Sequence, residues 1–136
     1  MQKNSKRALG MFLDCEDLAT VEEYMDLYAL DGVTTNPNLI SRLGRDVNFS
    51  QYLRDMRKLL GDKIFMTQVI ADDSDAMLAE AELVRKFAGD NTFVKFPCTP
   101  EGFRAMKLFV ARGGGATGTL CFSVVQGVLA LLAGAS

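Results

Sequence analysis

The chain has 136 residues, of which 49% are hydrophobic and 24% charged, a composition that fits one globular domain and excludes a disordered, collagen-like or disulfide-scaffold protein. Its 15 basic and 17 acidic residues leave a net charge of −2. Nucleic-acid binding would therefore need a local basic cluster, and only the short tail with Lys3, Lys6 and Arg7 offers one. The sequence contains no histidine, which excludes imidazole as a base, triad member or metal ligand.

The start of the chain and its cysteines indicate a cytoplasmic protein. The apolar run over residues 8–13 is too short for the core of a signal peptide, and Asp14 ends it. Cys15, Cys98 and Cys121 are odd in number, widely spaced and without a CxxC pair, which argues against a disulfide framework or a zinc site. We therefore expect reduced thiols, and neither a nucleic-acid nor a membrane partner.

The first half of the chain alternates between strand and helix. Residues 9–13 form a short apolar run that ends at Asp14, and we predict the first strand there. Apolar residues at helical spacing predict a helix over residues 21–28. Residues 32–35 are β-branched and precede Asn36 and Pro37, which predicts a second strand and a loop after it. A second apolar stripe predicts a helix over residues 49–60, which Gly61 closes.

The same alternation continues to the end of the chain. Residues 64–70 are almost continuously apolar, as in a strand buried on both faces of a parallel sheet, although Gln68 interrupts them. A helix over 74–88, ended by Gly89, leads to a fourth strand over 92–96. Thr99 and Pro100 start a helix that runs to about residue 111. A glycine-rich stretch weakly predicts a strand over 116–121, and Ser123 opens a last helix that ends at residue 134.

Strand–helix units repeated every 25–30 residues or so are typical of a parallel α/β sheet. We predict a short basic tail over residues 1–8 and one domain over residues 9–136 that contains about five such units. A closed barrel of this kind takes eight units and about 250 residues. The fold class that we predict is therefore α/β, a partial (βα) TIM-type barrel, whose sheet either stays open or is completed by a partner.

Polar residues stand at comparable places in all five predicted units. They are Asp14, Asn36, Gln68, Lys95 and Thr119. Because the carboxyl ends of parallel strands meet at one mouth, we expect these side chains to converge. Lys95 interrupts an apolar strand, so its apolar neighbours would lower its pKa towards a nucleophilic amine that can attack a ketone.

Each of these residues also has a structural interpretation. A lysine in a strand often extends its ammonium group to the surface. Asp14 can cap the first helix, Asn36 can shape the turn before Pro37, and Thr119 can be an ordinary strand residue. Gln68 is harder to explain in this way, since a buried amide needs hydrogen-bond partners.

Five segments, taken together, resemble the transaldolase family. They are FLD ending at Asp14, GVTTNP over residues 32–37, QV starting at Gln68, VKFP around Lys95, and QG starting at Gln126. The closest similarity is to the short-chain branch, which includes fructose-6-phosphate aldolase and the small microbial transaldolases. It covers nearly the whole chain from Leu9 onward.

This resemblance implies a class I mechanism in an α/β barrel, with Lys95 as the Schiff-base lysine. Asp14 matches the strand-one aspartate, and Gln68 falls where family members position the catalytic water. Thr35, Asn36 and Thr119 match substrate-contacting positions. The resemblance also implies sugar-phosphate substrates, no cofactor, no metal and a homo-oligomer.

Family members continue through three further units, so the resemblance implies a C-terminally truncated chain without part of the acid–base apparatus and without the phosphate site. Two functions therefore stay open. One is a transaldolase or fructose-6-phosphate aldolase that breaks or transfers a C–C bond through Lys95. The other is a catalytically inactive half-barrel that serves as an assembly subunit, since the first and fifth strands of an open sheet are templates for association.

Overall fold

The computed structural model describes residues 10–44 and 46–136. In chain order, its elements are β1 (Phe12–Asp14), α1 (Leu18–Leu27), β2 (Gly32–Thr34), α2 (Pro37–Ile40), a single 3₁₀ turn (Ser41–Leu43), α3 (Phe49–Leu60), β3 (Ile64–Gln68), α4 (Ser74–Ala88), β4 (Thr92–Pro97), α5 (Pro100–Ala111), β5 (Gly115–Thr119) and α6 (Val124–Leu132). The predicted basic tail and Leu9 lie outside the described residues. Within the described ranges, none of the helices has both the length and the apolar character needed to cross a bilayer.

The five strands form one parallel sheet in the order β1-β2-β3-β4-β5, so each strand pairs with the next one along the chain. A helix connects each pair, and α3, α4 and α5 pack side by side against one face of the sheet. This arrangement confirms the predicted α/β fold of about five strand–helix units.

Burial alternates along the strands because the helices cover one face of the sheet. Val33, Phe65, Val94 and Phe96 point to the helices, and each is completely buried. The alternate residues, which lie on the opposite, concave face, are partly exposed. The prediction that β3 is buried on both faces is therefore wrong, because among the described residues no second layer covers the concave face.

The loop predicted after the second strand contains a short helix instead. Asn36 is the N-cap of α2, and its Oδ1 accepts a hydrogen bond of 3.0 Å from the Leu39 amide. Pro37 follows at the first helical position, where its fixed φ angle suits a helix and its missing N–H is not needed. A helix of four residues is too short to show apolar periodicity, so only its capping residues could have predicted it.

The glycine-rich fifth strand is shifted towards the N-terminus from its predicted position. It runs from Gly115 to Thr119 rather than over residues 116–121. Gly114 precedes it, at a position where a Cβ atom would overlap the ring of Phe109. The strand ends at Thr119 because Leu120 adopts a left-handed conformation with a φ of 55°. Gly114 therefore allows the start of β5 to pack closely against Phe109 of α5.

Candidate active site

Lys95 lies in the middle of β4, and its position follows from the alternation of that strand. Its neighbours Val94 and Phe96 are buried against the helices, so Lys95 points to the concave face and is partly exposed there. The register of the sheet places Gln68 of β3 on one side of it and Thr117 of β5 on the other. Side chains of paired residues in a sheet share a face, so these three form a row across the concave surface.

The amine of Lys95 reaches across β3 to the second strand. Its Nζ donates a hydrogen bond of 3.1 Å to Oγ1 of Thr34. Thr34 pairs with Asp14 of β1, and the negative charge of Asp14 acts on the amine. The amine of Lys95 on β4, the hydroxyl of Thr34 on β2 and the carboxylate of Asp14 on β1 therefore lie near one another.

The environment shifts the protonation of Lys95 towards the neutral amine. Burial against the apolar surroundings lowers the pKa of Lys95 below its ordinary value, while the charge of Asp14 acts in the opposite direction and is the weaker influence. At a given pH, Lys95 therefore has a larger fraction of neutral amine than a fully solvated lysine. A neutral amine is the form that attacks a carbonyl carbon.

Gln68 lies beside Lys95 as its register partner on β3. Its side chain is partly exposed on the concave face. The sequence predicted a buried amide that needs hydrogen-bond partners, but the Gln68 side chain is partly exposed and does not need them. Its candidate role now depends on its position next to the amine.

The two candidates around the second strand differ in accessibility. Asn36 is partly exposed, and its side chain caps α2 as described above, which is the structural interpretation that its sequence allowed. Thr35 is completely buried, and its hydroxyl donates to the carbonyl of Met66 at 3.3 Å. The structure therefore directs the Thr35 side chain away from the concave face, and in this arrangement a substrate has no access to it.

Thr119 ends β5 and pairs with Pro97, two residues beyond the pair formed by Lys95 and Thr117. Its side chain is therefore on the concave face and is partly exposed. Its carbonyl accepts a hydrogen bond of 2.9 Å from the amide of Cys98, which holds the ends of β4 and β5 together.

Two residues of the site were missed in the sequence. Thr34 accepts the lysine hydrogen bond, and Thr117 lies directly beside Lys95 in the sheet. Alternation along the strands was the signal that could have found them. Thr117 is two residues before Thr119, and Thr34 follows the apolar Val33, so both belong to the concave rows.

Fold and site together define the class of protein. Five parallel strand–helix units with polar side chains gathered on one concave face form a partial (βα) barrel, an architecture in which chemistry takes place at the carboxyl ends of the strands. Residues 11–136 match the family described as Transaldolase/Fructose-6-phosphate aldolase, and the chain belongs to this family. The resemblance predicted from the motifs is thereby confirmed.

Curated relatives agree with this assignment. A probable fructose-6-phosphate aldolase from Streptococcus pneumoniae is 38% identical over 128 residues, which cover 93% of this chain and 57% of that protein. A probable transaldolase from Dinoroseobacter shibae is 39% identical over 128 residues, which cover 94% of this chain and 57% of that protein. The chain therefore spans a little over half the length of these relatives.

A solved structure supports the fold independently. A dihydrodipicolinate synthase from Rhodopseudomonas palustris superposes with a TM-score of 0.52 at 15% sequence identity, covering 82% of this chain and 44% of that one. At this level of identity, the likeness concerns the fold alone. It supports the partial barrel architecture.

Proposed function

We propose that the chain acts as a class I aldolase or transaldolase, in which Lys95 forms a Schiff base with the ketone of a sugar phosphate. The single observation that carries this proposal is a partly buried lysine with a lowered pKa on the concave face of a transaldolase-family barrel. The reaction would cleave a C–C bond or transfer a dihydroxyacetone unit between sugar phosphates, as a step of cytoplasmic carbohydrate metabolism.

The chemistry requires only a neutral amine and proton transfers. The amine of Lys95 adds to the ketone carbon, and the resulting carbinolamine loses water to form an iminium ion. The iminium accepts the electron pair of the neighbouring C–C bond as that bond breaks, which releases an aldehyde and leaves an enamine. The enamine then adds to a second aldehyde, or is protonated and hydrolysed to free the lysine. No metal is needed at any step.

The residues around Lys95 suit these steps. Asp14 is the proposed proton carrier, because its charge already acts on the amine. Gln68 lies next to Lys95 and is the proposed group that orients water. Asn36 and Thr119 are the proposed contacts for substrate hydroxyls. For Thr35 only a structural role is proposed, since its side chain is buried and bonded to Met66.

Borohydride trapping tests the proposal directly. The chain is incubated with dihydroxyacetone or with fructose 6-phosphate, reduced and digested with trypsin. Alkylation of Lys95 blocks cleavage after it, so a peptide over residues 87–104 that carries the reduced adduct would replace the peptides over 87–95 and 96–104. We expect this peptide in the wild type and its absence in Lys95→Met.

Lys107→Met is the matched control, because Lys107 is exposed on α5 and distant from the concave face in the fold. Trapping at Lys95 should persist in this variant. If the folded wild type gives no adduct at Lys95, or gives equal adducts at Lys95 and at exposed lysines, the imine proposal fails. Asp14→Asn should leave trapping intact and reduce turnover, because it removes the proposed proton carrier.

A second candidate function follows from the surface beside β5. Phe122, Val124 and Leu132 are 84%, 85% and 79% exposed, and they belong to the turn before α6 and to α6 itself. β5 is also an edge strand among the described residues, as is β1 at the other end of the sheet. An exposed apolar surface continuous with an open edge is typical of an interface. We propose as the alternative that the chain assembles with further copies of itself through this surface.

Light scattering across a range of concentrations tests the assembly. A single defined oligomer that dissociates in Val124→Glu would support it, while Leu83→Glu, which introduces the same charge at an exposed apolar position of α4, serves as the matched control. A monomer at all concentrations would exclude assembly and leave the enzyme proposal untouched, because trapping at Lys95 is measured separately.

A further inference from the structure

Two cysteines stand together at the carboxyl ends of β4 and β5. Cys98 follows β4 directly, and Cys121 lies two residues beyond β5. The amide of Cys98 donates a hydrogen bond of 2.9 Å to the Thr119 carbonyl, so the parallel pairing of these strands continues up to Cys98. Neither cysteine has a place in the proposed imine chemistry.

The side chains of both cysteines lie against the same helix. A Cβ atom at Gly118 would be 3.1 Å from Sγ of Cys98 and 3.2 Å from Cβ of Ala130, which places the Cys98 thiol beneath α6. A Cβ atom at Gly127, within α6, would be 3.6 Å from Sγ of Cys121. Both side chains therefore face the same helix, and the interaction with Cys121 is among the causes that raise the pKa of the Cys98 thiol.

Gln126 holds the backbone on both sides of this pair. Its Nε2 donates to the carbonyl of Cys98 at 2.9 Å, and its Oε1 accepts from the amide of Phe122 at 2.9 Å. One side chain of α6 therefore links the residue next to Cys121 to Cys98 itself. The proximity of the thiols is thus set by a backbone scaffold that does not depend on the cysteines.

The two thiols differ in accessibility. Cys98 is only 3% exposed, whereas Cys121 is exposed to solvent. Burial, followed by the contact with Cys121, raises the pKa of Cys98, so Cys98 stays protonated and inert until a reactive sulfur is brought to it. An accessible cysteine beside a protected one is the arrangement found in redox-responsive pairs.

We propose that Cys121 and Cys98 form a thiol pair that responds to peroxides and closes to a disulfide between the end of β4 and the turn before α6. The Cys121 thiolate attacks one oxygen of the peroxide and is oxidised to a sulfenic acid, and the other oxygen leaves as water or an alcohol. The Cys98 sulfur then attacks the sulfenic sulfur, and water leaves. In total, two thiols lose two protons and two electrons to the peroxide.

Cys15 provides an internal control. It follows β1, at the opposite edge of the sheet, and its thiol lies 3.9 Å from the Asp17 carbonyl. Among the described residues no other thiol accompanies it there, since the three cysteines of the chain are Cys15, Cys98 and Cys121. Peroxide should therefore link Cys98 only to Cys121.

The experiment treats the reduced 136-residue chain with hydrogen peroxide and maps non-reduced tryptic peptides by mass spectrometry. We expect peptides 96–104 and 113–136 joined by a disulfide within a monomer, and the same product from Cys15→Ser. In Cys98→Ser, Cys121 should be trapped by dimedone as a sulfenic acid, with no link to Cys15. Circular dichroism establishes that each variant is folded.

Three results would overturn the proposal. They are a Cys121 that stays reduced, a Cys121 that proceeds to sulfinic or sulfonic acid without a link to Cys98, and a disulfide between two chains seen as a dimer on a non-reducing gel. The wild-type peptide map alone decides the matter if Cys98→Ser does not fold. Failure here would leave the imine proposal unaffected, because trapping at Lys95 uses neither thiol.

Discussion

Lys95 and Thr34 are 61 positions apart in the sequence, and their side chains meet across β3 with 3.1 Å between Nζ and Oγ1. The hydroxyl is an acceptor for the charged ammonium group and for the neutral amine alike, but it stabilises the charged form more strongly. We therefore expect the contact with Thr34 to oppose the lowering of the Lys95 pKa by burial. A substitution at Thr34 tests whether this contact affects the reactivity of Lys95.

Replacing Thr34 with valine keeps the volume of the side chain and removes the acceptor. We expect the pKa of Lys95 to fall further below its ordinary value, so that acylation of Lys95 by a limiting reagent at neutral pH becomes severalfold faster. Peptide mass spectrometry of the labelled chain over a range of pH values measures this change. Thr34→Ser retains the acceptor and should match the wild type. Equal labelling profiles for wild type and Thr34→Val would contradict the role of this contact.

Arg57 joins the amino-terminal ends of neighbouring strands through its guanidinium group. It donates to the carbonyls of Gly61 at 2.8 Å, Lys63 at 2.7 Å and Asn91 at 2.9 Å. It also donates to the carbonyl of Ala88 and, at 3.0 Å, to the hydroxyl of Thr92. A lysine keeps the charge but has three donors and no planar fork. We expect Arg57→Lys to lower the free energy of unfolding by about 3 kcal/mol, measured by urea denaturation.

The matched control for this prediction is Arg54→Lys, one turn earlier on the same helix. Arg54 is exposed, and it contacts the ring of Phe87 and Oε1 of Gln51. The substitution keeps the charge in both variants, so a difference between them isolates the hydrogen bonds to the backbone. Similar urea midpoints for the two variants would show that the Arg57 network contributes little.

Gly102 lies in α5 where the helix passes closest to the end of β4. A Cβ atom at this position would overlap the carbonyl oxygen of Pro97, which is two residues from Lys95. Gly102→Ala should therefore push α5 away from β4, lower the free energy of unfolding by about 2 kcal/mol and reduce trapping at Lys95.

Gly127→Ala, on α6, should have the opposite effect on the free energy of unfolding. Its Cβ atom would lie at an ordinary contact distance of 3.6 Å from Sγ of Cys121. Because alanine is a better helix former than glycine, we expect Gly127→Ala to stabilise the chain by about 0.5–1 kcal/mol. Thermal unfolding of Gly102→Ala and Gly127→Ala measures both changes in stability. A stable Gly102→Ala would mean that the contact between α5 and Pro97 is not tight.

The raised pKa of Tyr52 predicts that the folded chain loses stability at alkaline pH. Burial raises the pKa of its phenol, and the negative charge of Glu16 adds to this effect. The hydroxyl donates to the Glu16 carbonyl at 3.0 Å. Since the pKa in the folded state is above that in the unfolded chain, the stabilisation is complete below the unfolded pKa of about 10 and declines as pH rises above it.

Tyr52→Phe removes both the hydrogen bond and the ionisation. At pH 7 we expect it to be less stable than the wild type by about 1 kcal/mol, and this difference should narrow as pH rises beyond 10. Urea denaturation at several pH values measures the gap. Tyr28→Phe, at an exposed position, is the control. A gap that stays constant with pH would contradict a shifted titration of Tyr52.

The sequence by itself determined the order and type of almost every element. The helix over residues 74–88 has the predicted bounds because its signals are local: the Asp73 side chain caps its first turn, and Gly89 with a φ of 80° ends it. Lys95 was identifiable for the same reason, since a single charged residue within an apolar strand is visible without any partner. The family motifs, which are also short local segments, predicted a family that residues 11–136 match.

Only the tertiary structure decided which side chains share a surface. The hydrogen bond between Lys95 and Thr34 depends on strand register, and the burial of Thr35 depends on which face the helices cover. The position of Cys98 and Cys121 against α6 depends on how that helix packs on the ends of β4 and β5. A shift of register by one residue would move a strand side chain such as Lys95 or Thr34 to the other face of the sheet. Periodicity in the sequence is a property of neighbouring residues, whereas register arises from hydrogen bonds between distant strands, and for this reason the contacts of Lys95 with Thr34 and its position beside Thr117 became visible only in the folded chain.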